Sequence, residues 1–196
     1  MPPANPINSS IAEPADVSLG SSLCTECGLC CTGALHNFAV LEPEETDIAR
    51  GMGFTLRTVG KPGFALPCPK LNGTYCSIYG ERPKVCKRYR CALLNGLEDG
   101  SIGFDDAATA VAGARRLFDQ VHSLLPDGMT IPMARAEFEA PPSVGNAAGN
   151  RSSNMRLKLA ITALSLFLDR HFRKSSEQNL LAFEAIADQR PDTEMR

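Results

Sequence analysis

The stretch Cys24-Thr25-Glu26-Cys27-Gly28-Leu29-Cys30-Cys31 holds four of the chain's eight cysteines. The other four follow at Cys68, Cys76, Cys86 and Cys91, and the rest of the 196-residue chain has none. Thiols at that density cross-link, bind a metal, or are buried as small apolar groups. Disulfide scaffolds are usually small, secreted and richer in cysteine than this chain. Residues 1–21 have neither a basic opening nor an apolar run, so they read as a disordered tail and not as an export signal. The expected compartment is therefore the cytoplasm, where thiols stay reduced, and clustered reduced thiols favour a metal.

Composition narrows the class further. Hydrophobic residues make up 43% and charged residues 21%, with a formal net charge of −2. Nothing in that balance points to nucleic acid, and aromatics at 6% with no Trp give no platform for stacking bases. The longest apolar run, Leu157 to Leu168, contains Lys158 and falls short of the roughly 20 residues a membrane span needs, so it reads as a buried helix.

The expected fold is mainly α with a small irregular α+β cysteine-rich metal-binding segment and a short hairpin near 68–79. The segment 22–95 carries the cysteines, and a helical segment, 96–190, packs on it as part of a single domain. A Pro/Gly/Asn/Ser-rich stretch near 140–154 reads as a flexible loop. Within the first segment, Glu42 to Glu45 supply acids to a helix that Gly51 ends. Residues 54–66 read as a short strand and loop. Asn72-Gly73 signals a hairpin that brings Cys68 towards Cys76, and Pro83 opens a helix carrying Cys86. In the second segment, residues 104–125 form one helix capped by Asp105 or Asp106. Its apolar face is Ala107, Val111, Ala114, Leu117, Phe118, Val121 and Leu125. Residues 129–154 contain a short extended piece followed by that loop. Asn154 caps the next helix, and a last one follows over 175–189. His122 and His171 fall near helix ends, where a positive charge suits the dipole.

The spacing of the cysteines limits their chemistry. Cys-x-x-Cys lets two sulfurs converge on one ion, and Gly28 supplies a backbone angle that frees the following amides. Structural zinc takes four thiolates, and so does an iron–sulfur cluster; Cys24, Cys27 and Cys30 match the first three steps of the bacterial cluster pattern and favour the cluster. Cys30 and Cys31 are adjacent, and neighbouring side chains on an extended or turning backbone point apart. Two neighbouring sites, or one polynuclear site, would use all eight: Cys24, Cys27, Cys30, Cys31, Cys68, Cys76, Cys86 and Cys91. A single site with the remaining thiols buried is the alternative. His36 is a candidate replacement ligand. Arg82, Lys87 and Arg88 belong to a basic run that could balance thiolate charge.

These blocks resemble the YkgJ-like cysteine-cluster family, whose C-x2-C-x2-C-C motif is followed by a later Cys and then C-x-I-Y-x-x-R-P-x-x-C-R. Cys24, Cys27, Cys30 and Cys31 match the first block, and Cys68, Cys76, Ile78, Tyr79, Arg82, Pro83 and Cys86 match the second. Lys87 stands where the family has Arg, and Cys91 is an additional thiol. The resemblance implies a zinc- or iron-chelating domain. It also implies kinship with the cysteine segment of flagellin N-methylases, and so a role in group transfer such as protein lysine methylation. No glycine-rich nucleotide loop accompanies it here. The expected function is metal binding, by zinc or an iron–sulfur cluster, with no catalytic motif. Alternatives are an iron–sulfur enzyme or accessory protein and a metal-stabilised module that binds a protein or RNA partner.

Overall fold

The computed structural model describes residues 19–57, 60–139 and 151–174. The tail up to residue 18, most of the 140–154 loop and the helix expected over 175–189 lie outside the described residues. The fold is mainly helical, with two small antiparallel sheets in the cysteine-bearing part.

Helix α1 (Leu19–Cys27) begins three residues inside the segment read as tail. It ends at Gly28, whose φ of +63° is the left-handed cap that commonly stops a helix. Strand β1 (Phe38–Val40) follows, then a 3-10 turn (Pro43–Glu45) and helix α2 (Thr46–Gly51), which ends on Gly51 as expected. Glu42 and Glu45 close a capping box at that entrance. Strand β2 (Gly63–Ala65) pairs with β1 in antiparallel register, Ala39 opposite Phe64. Strands β3 (Leu71–Asn72) and β4 (Tyr75–Cys76) form the expected hairpin, with Leu71 opposite Cys76. Asn72 is in the ladder and Gly73-Thr74 forms the turn, one residue on from the Asn-Gly pair that signalled it. Helix α3 (Lys84–Arg88) opens after Pro83 and carries Cys86. Helix α4 (Ala92–Glu98), too short and too poor in periodicity to read from sequence, is N-capped by Cys91: its Sγ accepts from the Leu94 N–H at 3.4 Å.

Helix α5 (Phe104–Leu124) matches its sequence signal, but its cap is Gly103. Asp105 and Asp106 lie in the first turn, where a carboxylate still meets the positive end of the dipole. Residues 131–139, ahead of the loop and where a short extended piece was expected, instead form helix α6 (Ile131–Glu139). The Met133 N–H donates to Thr130 Oγ1, and Pro132 sits in the first turn, where its missing N–H costs nothing. Helix α7 (Arg151–His171) starts ahead of Asn154, which is therefore inside the helix and not its cap. His122 and His171 do fall in the last turns of α5 and α7.

Two apolar cores result. The larger is built on α5 against α7, with α1, α4 and α6 contributing; Leu29, Ala114, Val121, Leu164 and Leu168 are fully buried there. It also takes in Leu23, Ala34 and Leu35 from around the first cysteine block, so the two halves of the sequence share one core. The smaller comprises Leu41, Ala49, Phe54, Phe64 and Leu66 behind the β1–β2 sheet. Two arginines from the C-terminal helices hold the loop between Cys31 and β1. Arg173, buried, donates to the carbonyls of Ala34 and Leu35 at 3.2 Å each and pairs with Asp169. Arg135 donates to Gly33 O at 3.2 Å and to Ala34 O. Burial, and then the neighbouring Arg173 charge, pull Arg135 down to about 10.

Candidate metal centre

The first cysteine block is positioned by helix α1 and its cap. Cys24 and Cys27 lie three apart on α1, so both sulfurs face the same side. The Gly28 N–H donates to Cys24 O at 3.2 Å, and the chain turns so that the Cys31 N–H donates to Gly28 O at 3.0 Å. Leu23 before the block and Leu29 inside it are buried in the large core and pin the turn. The second block comes from the hairpin, the loop before it, α3 and the α4 cap. It is tied to the first at two places. The Cys68 N–H donates to Cys31 O at 2.8 Å. The hairpin tip rests on Gly28: a Cβ there would sit 2.9 Å from Thr74 Cα and 3.0 Å from Thr74 O. Gly28→Ala therefore meets both a left-handed φ and a backbone contact that cannot swing aside. It is expected to cost about 2–3 kcal/mol and to loosen the hairpin, read as a lowered denaturation midpoint.

All eight cysteines line one cavity of about 580 Å³. None of the eight is joined in a disulfide, and each is partly buried. Burial pushes Cys27 up to about 12, with neighbouring Cys91 and Cys24 adding to it. Burial likewise pushes Cys86 up to about 12, reinforced by Cys31, Cys68 and Cys76, and Cys68 up to about 11, reinforced by Cys31 and Cys76. Cys24 is raised by burial and by Cys91. The Cys30 and Cys31 Sγ atoms are 3.7 Å apart, and either can donate to the other; this contact and then burial push Cys30 up, and the same contact holds Cys31 below its ordinary value. The adjacent side chains do not point apart, contrary to the expectation for an extended or turning backbone: the turn that follows α1 brings the two sulfurs together. Among the described residues, no three His, Cys, Asp or Glu side chains already stand close enough to hold an ion.

Cations reach the cavity as well. The Arg82 guanidinium lies 3.5 Å from the Tyr79 ring centroid and donates from Nε to Tyr79 O at 2.7 Å; its charge opposes the rise that burial causes at Cys24 and Cys86 and adds to the lowering that the Cys30 contact causes at Cys31. Lys87 and Arg90 also line the cavity. Arg90 was not singled out by sequence; only its place in the same basic run pointed to it. Arg88, read as a partner for the thiolates, instead pairs with Glu42 on the exposed side of α3. Its carboxylate partner is held at about 2 by Lys84 and then Arg88. His36 lines the cavity and meets Tyr89 edge-on at 4.8 Å.

No helix of the described residues is long and apolar enough to cross a membrane. No curated protein and no solved structure matches the chain. Residues 23–108 match the CxxCxxCC family model, whose description is "Putative zinc- or iron-chelating domain". That match takes in both cysteine blocks, α4 and the first turn of α5. This segment, which contains every cysteine of the chain, is similar to the CxxCxxCC domain.

Proposed function

We propose that this is a cytoplasmic metal-binding protein in which Cys24, Cys27, Cys30, Cys31, Cys68, Cys76, Cys86 and Cys91 chelate zinc or iron, the latter alone or as an iron–sulfur cluster. One observation carries the reading. Eight thiols separated by as many as 67 residues of sequence line a single cavity. The donor set fits: thiolates suit zinc and iron–sulfur centres, and no competing disulfide forms among them. Convergence on an ion is then a matter of χ1 rotation on backbones already gathered by the Gly28 cap, the Cys31–Cys68 hydrogen bond and the hairpin. A bound cation would also reverse the local acid–base balance, because a coordinating thiol is deprotonated outright. Arg82, Lys87 and Arg90 would offset the negative charge that four thiolates leave around one divalent ion.

The metal would contribute to folding directly, because its site does not exist in the unfolded chain. Purification under anaerobic, reducing conditions followed by metal analysis and an absorption spectrum is the test. Stoichiometric zinc in colourless protein, or iron with acid-labile sulfide in brown protein, is the expected result. A reduced chain that is folded and metal-free would overturn the reading.

A further inference from the structure

We propose that the eight thiols form two separate four-cysteine sites, with the division falling between the adjacent residues Cys30 and Cys31. Cys24, Cys27, Cys30 and Cys91 hold one ion, and Cys31, Cys68, Cys76 and Cys86 hold the other. The proposal rests on the metal-binding reading above and adds the division and the resulting count of two.

The backbone makes the division. Cys24 and Cys27 share one side of α1, and Cys91 caps α4, which packs against α1. Cys27, Cys30 and Cys91 all rest on the large helical core. Cys68 and Cys86 rest on the small core of Leu41, Phe54 and Phe64 instead. Cys31 is bound to that second group by its carbonyl, which accepts from Cys68 N–H at 2.8 Å. Cys76 joins it through the hairpin: it faces Leu71, whose N–H donates to Cys68 O at 3.1 Å.

Cys30 and Cys31 are the seam. Their sulfurs are 3.7 Å apart, close to the edge of about 3.8 Å that four sulfurs at about 2.3 Å from one ion would make. Proximity alone would allow them to share an ion. The six other cysteines decide against it, because Cys24, Cys27 and Cys91 share the backbone setting of Cys30 and Cys68, Cys76 and Cys86 that of Cys31. Two ions held this way are neighbours, and Arg82 faces thiols of both groups.

Zinc titration of the reduced full-length chain against a chromogenic chelator tests the division. The expected result is two ions per wild-type chain, one each for Cys27→Ser and Cys76→Ser, and none for the double variant. A wild-type stoichiometry of one overturns it, as does the loss of both ions from either single variant that keeps its circular dichroism spectrum. Should a serine variant fail to fold, Cys91→His and Cys86→His each retain a ligand at the altered position. With cobalt as the probe, each is expected to shift about half of the d–d intensity and leave the other half in place; a shift of the whole spectrum overturns the division. A wild-type chain that takes up no zinc at all would instead bring down the metal-binding reading itself, so the two failures are distinguishable.

Discussion

Stripping the metal with a chelator under reducing conditions is expected to open residues 38–90 to rapid amide exchange and proteolysis while α5 and α7 stay protected. The reason is how little else holds that region. Its strands are two or three residues long, α3 has five residues, and its own core has five buried side chains. Burial of such side chains contributes about 1.5–3 kcal/mol each. Ordering the backbone costs about 1–2 kcal/mol per residue, so five cannot fix some fifty residues. The exposed ion pairs of Lys84 and Arg88 with Glu42 add little. Structural zinc in small domains contributes an apparent 10–16 kcal/mol or so, larger than any single substitution discussed here. Protection of 38–90 that does not change on metal removal, measured by hydrogen exchange, would show that the segment holds itself together.

How much of this was legible in the sequence depends on the length over which each signal repeats. Helix α5 declares itself through seven apolar positions on one face, four of them buried as read: Ala107, Val111, Ala114 and Val121. Helix α7 does the same: Leu157, Ala160, Ile161, Leu164 and Leu168 of its apolar run are buried, while Leu159 and Leu166 face outward. Short elements offer no such repeat. Strand β1 has three residues and α4 has seven, and both are fixed by partners distant in the chain: β1 by β2, and α4 by α1. The helix at 131–139 was hidden by Pro132, which looks like a breaker until Thr130 is recognised as the residue before a helix that tolerates proline in its first turn.

The site was legible by residue type more than by arrangement. Spacing and the family pattern selected the cysteines that line the cavity, Cys91 included, although the family pattern has no place for it. What no spacing rule contains is the meeting of Thr74 with Gly28, or the buried Arg173 and half-buried Arg135 that fasten Gly33, Ala34 and Leu35. Arg135 and Arg173 lie about a hundred residues or more from those carbonyls in sequence, and each was indistinguishable there from a surface charge.

Phe172→Ala is expected to cost about 3–5 kcal/mol, lowering the melting temperature by roughly 6–20 °C for a chain of this size. Phe172 is 1% exposed, in the larger core, and it also lines the cysteine cavity. Its N–H donates to Leu168 O at 2.8 Å and its carbonyl accepts from Ala92 N–H, also at 2.8 Å. The end of α7 is thereby fixed to the residue that follows Cys91, and the next residue, Arg173, holds the loop that follows Cys31. Removing the ring leaves those backbone bonds available but takes away the packing that aims them. The loss should therefore appear twice: as the stability cost of a cavity, and as weaker metal retention through Cys91. Phe172→Leu keeps most of the volume and should cost less than about 1.5 kcal/mol. Differential scanning calorimetry of both variants, with chelator competition on the metal-loaded protein, separates the two effects. A Phe172→Ala chain as stable as wild type would mean that α7 and the cysteine-bearing segment are not joined at this contact.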